Sequence, residues 1–103
     1  MHRIIHDNLD KITALCKRYN VRSLSAFGSV CTDKFGQKSD IDLLVSFYAM
    51  APGDYADNYF DIADEFEQIF QRRVDLITDK SLSNPYFIAS VNQTKTLLYG
   101  LSA

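Results

Sequence analysis

The chain lacks the marks of several large classes of protein. Its only two cysteines, Cys16 and Cys31, lie far apart and in no Cys-x-x-Cys or His/Cys pattern. Neither a disulfide framework nor a zinc site is expected, and free thiols suit a reducing cytosol. Net positive charge is also missing: 11 Lys and Arg against 13 Asp and Glu leave −2. A duplex nucleic acid needs a basic footprint on its protein, so it is not an expected partner. The longest apolar run, IDLLVSFYAMAP, is too short to cross a bilayer. The N-terminal MHRIIHDNLDKITALCKRYN is interrupted by charges every few residues, unlike a signal peptide or a membrane span. No repeat, low-complexity tract or linker divides the sequence. The expectation is a soluble cytoplasmic protein with no membrane partner.

What is present is core material. Hydrophobic residues make up 47% and aromatics 13% of 103 residues, which suits one globular domain over 1–103. A domain this short buries only about 60–70% of its unfolded surface, so its stability is modest and a partner could add to it.

Hydrophobic spacing supplies a series of elements. Ile5, Leu9, Ile12, Cys16 and Tyr19 recur every three or four residues, predicting an amphipathic helix over 4–19. VRSLSAF (21–27) reads as a strand stopped by Gly28, and 30–39 as a loop or a short helix followed by a loop. DIDLLVSFY (40–48) reads as a central strand, and MAPGD (50–54) as a turn. Tyr55, Tyr59, Ile62, Phe66 and Ile69 predict a helix over 55–70. RRVDLIT (72–78) reads as a third strand. A closing helix opens on Asn84 as N-cap with Pro85 at its first position, runs through Ile88, Val91, Lys95 and Leu98, and stops at Gly100. The order α-β-β-α-β-α implies an α/β (α+β) two-layer fold, a small mixed sheet of three or four strands flanked by helices.

Two carboxylates sit at the mouth of the central strand. Side chains on a strand alternate, so Asp40 and Asp42 share a face, with Cα atoms roughly 6.5–7 Å apart. Ile41, Leu43 and Val45 take the other face. Like charges this close repel unless a cation compensates, and Mg²⁺ does so with oxygen ligands while keeping positions open for phosphates. Asp75 interrupts RRVDLIT in the same way. If its strand neighbours the first, three carboxylates converge and suit two metal ions about 3.5–4 Å apart. An isolated Asp-x-Asp is common at strand ends. The combination carries more, because each acid replaces a residue that would pack better. Gly28-Ser29 is separated from Asp40 by ten residues. Glycine permits a tight turn and close approach of backbone N–H groups to an anion, and the serine hydroxyl can bond a phosphate oxygen.

Gly28-Ser29, the ten intervening residues, DIDLLV and the later Asp75 resemble the nucleotidyltransferases of the DNA polymerase β superfamily. The likeness is closest to the minimal nucleotidyltransferases (MNT) of prokaryotes, and it covers most of the chain. It implies the nucleotidyltransferase fold, with Gly28 and Ser29 binding the β- and γ-phosphates of ATP. Asp40, Asp42 and Asp75 would be the catalytic residues and the metal ligands. They would hold Mg²⁺, two ions when nucleotide is bound, with Asp75 helping to deprotonate the attacking hydroxyl. A hydroxyl would then attack the α-phosphate and pyrophosphate would leave. Similar proteins are antitoxins paired with a helical HEPN-type toxin, a ribonuclease, which they neutralise by transferring AMP to a toxin tyrosine, by binding, or both.

One segment departs from that pattern. Relatives commonly carry an arginine three residues after the serine, whereas GSVCTDKFG places Thr32 there and Asp33 where glycine is usual. A cation is lost and a negative charge gained, with Lys34 and Lys38 as compensating groups or as solvated loop lysines. This motivates a second reading, a binding module of the same fold that neutralises its partner by contact. A third is a small-molecule (antibiotic) nucleotidyltransferase. Larger members of the superfamily have a further domain for base or acceptor. Here the acceptor pocket is expected from a second copy in a homo-oligomer or from another protein.

The remaining surface is less specific. Asp54, Asp57, Asp61, Asp64, Glu65 and Glu67 load one helix with acid and no intervening Lys or Arg, which reads as a solvated face or as a dock for a basic partner. Phe60 falls off the apolar stripe. His2 and His6 read as a surface pair, and Arg72 and Arg73 as the entry to the third strand.

Overall fold

The computed structural model describes residues 1–101. Its elements run α1 (Arg3–His6), α2 (Leu9–Arg18), β1 (Val21–Phe27), β2 (Ile41–Phe47), α3 (Pro52–Phe70), β3 (Val74–Thr78), α4 (Pro85–Thr94) and β4 (Thr96–Gly100). Short 3₁₀ turns occupy Gly28–Cys31 and Asp79–Ser81. The four strands form a mixed sheet in the order β3-β2-β1-β4. β1 pairs antiparallel with β2 and with β4, while β2 and β3 are parallel. The expected α+β sheet with flanking helices is present. No helix among the described residues is long and apolar enough to cross a membrane.

β2 is the central strand, and its alternation is complete. Ile41, Leu43, Val45 and Phe47 are buried, while Asp42, Leu44 and Ser46 are only partly covered. The buried set joins Leu24 and Ala26 of β1, Ile12, Leu15 and Cys16 of α2, and Ile62, Phe66 and Phe70 of α3 in one core. α2 and α3 therefore cover one face of the sheet and leave the Asp42 face open. Helix α4 contributes one buried residue, Val91, and packs by Phe87 edge-on to Phe27 with ring centroids 6.1 Å apart.

Several boundaries differ from the sequence reading, each for a local physical reason. The N-terminal helix is broken at Asp7–Asn8, where the Asn8 amide donates to the Ile4 carbonyl at 2.8 Å instead of leaving the helix to run on. Of the segment read as a turn at 50–54, residues 52–54 already belong to α3, which starts on Pro52; proline fits the first turn, where no N–H is needed.

The largest difference is at the C-terminal end. Asn84 does cap α4, accepting from the Tyr86 and Phe87 N–H groups at 2.9 and 3.2 Å. That helix stops at Thr94, however, and residues 96–100 form β4 along β1. Thr96, Leu97, Leu98 and Tyr99 suit a strand, and an edge of β1 left bare would expose unpaired backbone groups. The helical spacing of Val91, Lys95 and Leu98 is overridden by that pairing. Gly100 is thus no helix cap. It lies at φ 82°, pressed against the Arg22 backbone, where an added Cβ would collide with the Arg22 carbonyl.

Phe66 is fully buried and stacks on Phe70 with centroids 6.2 Å apart. Phe66→Ala is expected to cost about 3–5 kcal/mol, a large share of the total stability of a domain this size. Urea unfolding followed by circular dichroism measures it.

Candidate active site

The site begins with a register. Parallel pairing of β2 with β3 sets Ile41 opposite Val74 and Asp42 opposite Asp75. Neighbouring strands lie about 4.7–4.9 Å apart, so the two carboxylates stand side by side at the open end of the sheet. Asp40 precedes β2 by one residue and is exposed. Burial first, then the charges of Asp75 and Asp40, push the Asp42 carboxyl up to about 6. Both neighbours are therefore near enough to oppose its ionisation. Of the three acids expected from the sequence, Asp42 and Asp75 stand side by side, and Asp40 lies within reach of Asp42 by its charge.

Gly28 closes the site from the side. It follows β1 at φ 75°, a conformation that favours glycine. A Cβ at this position would fall on Asp42 Oδ2, so the glycine is needed twice, for its backbone angle and for the approach of the carboxylate. Phe27 pairs with Asp42 in the β1–β2 ladder, which brings the Gly28–Ser29 turn to the same end of the sheet. The Gly28 N–H donates to Thr94 Oγ1 at 2.7 Å and is thereby taken.

The segment between Ser29 and Asp40 is held by contacts that the sequence did not signal. Thr32 Oγ1 donates to the Ser29 carbonyl at 2.9 Å and accepts from the Lys34 N–H at 3.2 Å. Its hydroxyl ties the loop to itself. The Arg72 guanidinium donates to the Gly36 and Ser39 carbonyls, both at 3.0 Å, and lies 4.4 Å over the Phe35 ring. His2 packs against Phe35 with centroids 4.8 Å apart, and its backbone N–H donates to the Val30 carbonyl at 2.8 Å. Its Nδ1 accepts from Ile4 N–H as the cap of α1. Arg72 is thus a positioning residue for the loop that delivers Asp40, and His2 is a loop anchor. Nothing in QRRVDLIT marked Arg72 for that task, because its partners are carbonyls more than thirty residues away.

The donor chemistry fits a hard divalent cation. Every ligand on offer is a carboxylate oxygen, and none of the three acids has an ion-pair partner; among the described residues the one ion pair is Arg3–Asp7. Among those residues no group of three or more His, Cys, Asp or Glu side chains is placed to hold a metal ion. A pair such as Asp42 and Asp75 suits Mg²⁺, which takes one or two carboxylates and completes its shell with waters and substrate phosphates.

A second concavity borders the first. A cleft of about 470 Å³ lies between α3 and the β3 edge, lined by Tyr55, Tyr59, Phe60, Asp75, Ile77 and Thr78 among others. The Tyr59 hydroxyl donates to the Leu76 carbonyl at 2.6 Å. Burial, then the charge of Asp75, raises that phenol above its usual range. Phe60 is exposed, as its place off the stripe predicts. Along α3, Asp54, Asp57, Asp61, Asp64 and Glu67 are exposed. Glu65 instead accepts from the Tyr19 hydroxyl, and Glu67 also accepts from the Val74 N–H at 3.0 Å at the start of β3.

Two outcomes follow from this geometry. An Asp42 carboxyl raised in the fold favours the folded state below its unfolded value of 3.8, and that contribution is lost as pH rises through about 6. Asp42→Asn is therefore expected to raise stability at pH 8 by about 1 kcal/mol after discounting for solvent screening. That is a Tm gain of roughly 4–8 °C, fading toward pH 4, as thermal unfolding across pH would record. Arg72→Ala is expected to free the loop, so that amides of residues 36–40 exchange hydrogen about tenfold faster or more while those of β1 do not, since it removes about 1.5–3 kcal/mol of charged hydrogen bonding.

Comparison with known proteins agrees with the geometry. A family model described as "Polymerase beta, Nucleotidyltransferase" matches residues 10–102. A Methanocaldococcus jannaschii protein with the provisional name protein adenylyltransferase is 34% identical over 90 residues, covering 86% of this chain and 89% of its own length. A solved structure provisionally described as a minimal nucleotidyltransferase superposes with TM-score 0.72 at 24% identity, covering 93% of this chain and 95% of the other. Another, described as a tri-AMPylated Shewanella oneidensis HEPN toxin in complex with MNT antitoxin, matches with TM-score 0.65 at 20% identity over 93% of this chain and 72% of the other. The Gly-Ser turn, the paired acids and the mixed sheet that aligns them are carried by a chain that belongs to the polymerase beta nucleotidyltransferase family.

Proposed function

We propose that the protein transfers AMP from ATP to a hydroxyl of a partner protein, a tyrosine of a HEPN-type toxin, and so acts as that toxin's antitoxin. The observation that carries the reading is the contact of Gly28 with Asp42, which is itself in register with Asp75. The phosphate loop and the acids are thereby parts of one site. Asp40, Asp42 and Asp75 are the proposed ligands of Mg²⁺, two ions when ATP is bound, and Ser29 with its turn holds the β- and γ-phosphates. The metal supplies charge neutralisation at the phosphates. Asp75 sits at the exposed rim, also lining the cleft, and is the group placed to take the proton from an incoming hydroxyl. Because Asp42 is pushed up to about 6, metal binding should strengthen as pH rises through that value.

Support for a protein acceptor comes from relatives named as protein adenylyltransferases and from the fold shared with the antitoxin of the AMPylated toxin complex. A second reading has its own observation. Thr32 offers no charge and its hydroxyl is engaged within the loop, which suits a protein that neutralises its partner by contact without turnover.

The two readings separate in one experiment. The chain is incubated with Mg²⁺, ATP labelled at the α-phosphate and the HEPN-type protein encoded beside it. Label on the partner, lost by at least a hundredfold with Asp42→Ala, supports transfer. Complex formation with no label supports the contact reading, and undiminished labelling by Asp42→Ala removes the acids from the site.

A further inference from the structure

We propose that Lys95 binds a phosphate oxygen of the nucleotide, supplying the cation that the phosphate loop does not provide. The inference rests on the nucleotide site proposed above and adds to it a residue from the opposite edge of the sheet.

A bound triphosphate brings several negative charges to a site already rich in acid, so the cations within reach matter. Two of those near the site are committed, while Arg73, at the entry to β3, is exposed. Arg72 holds the Gly36 and Ser39 carbonyls, and Lys80 lies 5.0 Å over the Tyr55 ring. Lys34 and Lys38 are exposed on the loop. Lys95 is different because two anchors fix its backbone beside the Gly-Ser turn. On one side Thr94 Oγ1 accepts the Gly28 N–H at 2.7 Å. On the other, Thr96 pairs with Ala26 at the start of β4.

From that position Lys95 lines a hollow of about 120 Å³ on the open face of the sheet, with Ser25, Leu44, Ser46, Asp79 and Leu97. Leu44 stands two residues along β2 from Asp42 on the same face, so the hollow lies on the face of the sheet that carries that carboxylate. The hollow has features of a polar site. Ser25 is the buried polar residue of the described structure, 7% exposed. Asp79 faces Lys95 from the other rim. Its carboxylate accepts from Ser46 Oγ at 3.1 Å and from the Lys80 N–H at 3.0 Å, and it forms no ion pair with Lys95 among the described residues. An ammonium group on a flexible stem, held next to the turn and left without a counter-charge, suits a phosphate oxygen.

The test is calorimetric titration of Mg²⁺·ATP, and separately of Mg²⁺·tripolyphosphate, into the wild-type chain, Lys95→Ala, Lys95→Arg and the double variant Lys34→Ala/Lys38→Ala. Circular dichroism confirms that each is folded. Lys95→Ala is expected to weaken both ligands about tenfold or more, the loss of one charged hydrogen bond. Lys95→Arg should restore binding to within about threefold, which loss of a merely structural contact would not predict. The loop double variant should bind as wild type. Wild-type affinity in Lys95→Ala, or a loss confined to ATP with tripolyphosphate unaffected, overturns the phosphate role. A wild-type chain that binds neither ligand overturns the nucleotide site itself, and the role of Lys95 with it.

Discussion

The parallel pairing of β2 with β3 is the constraint on which the rest depends. It fixes Asp42 opposite Asp75 and brings two like charges together where the sheet meets solvent. The pairing holds because the other face of β2 is packed with Ile41, Leu43 and Val45, all fully buried. A slip of one residue would turn those side chains to water and the carboxylates to the core. Hydrophobic burial therefore determines where the acids stand, and the strain of their repulsion is carried by the core.

That repulsion has a structural cost that the fold accommodates without neutralising it. No Lys or Arg pairs with the acids among the described residues, and Asp42 is held well above its usual range. A structural cluster would be expected to recruit a basic side chain. An uncompensated one, with a glycine pressed against it and a hydroxyl-bearing turn alongside, has the charge balance of a site completed by a cation and an anionic substrate. Stability is given up at this end of the sheet, in the manner common to functional sites.

The elements around the site divide into holders and presenters. Arg72, Phe35 and His2 brace the loop before Asp40 from the side of β3 and the N-terminus. Thr94 braces the Gly28 turn from the end of α4. These contacts join segments distant in sequence, and none involves an acid of the cluster. Departures in the loop sequence, Thr32 and Asp33, fall in a segment whose shape is set by these braces, with Thr32 contributing its own hydrogen bonds.

Much of this was legible in the residues alone. The alternation in DIDLLV put Asp40 and Asp42 on one face, Gly28 marked the turn, and the interruption of RRVDLIT marked Asp75, because strand periodicity and glycine conformations are local properties. The order of strands was not, nor was β4: Val91, Lys95 and Leu98 fit a helix by spacing, and only the open edge of β1 made 96–100 a strand. Arg72 was likewise silent, since a basic residue in a polar segment reads as solvated until its distant partners are placed. The sequence by itself determined which side chains are candidates for the chemistry and which face of β2 they share. The tertiary structure alone decided that Asp75 meets Asp42, that the Gly28 turn closes on Asp42, and that the end of α4 is tied to that turn, because each depends on a pairing between segments far apart in the chain.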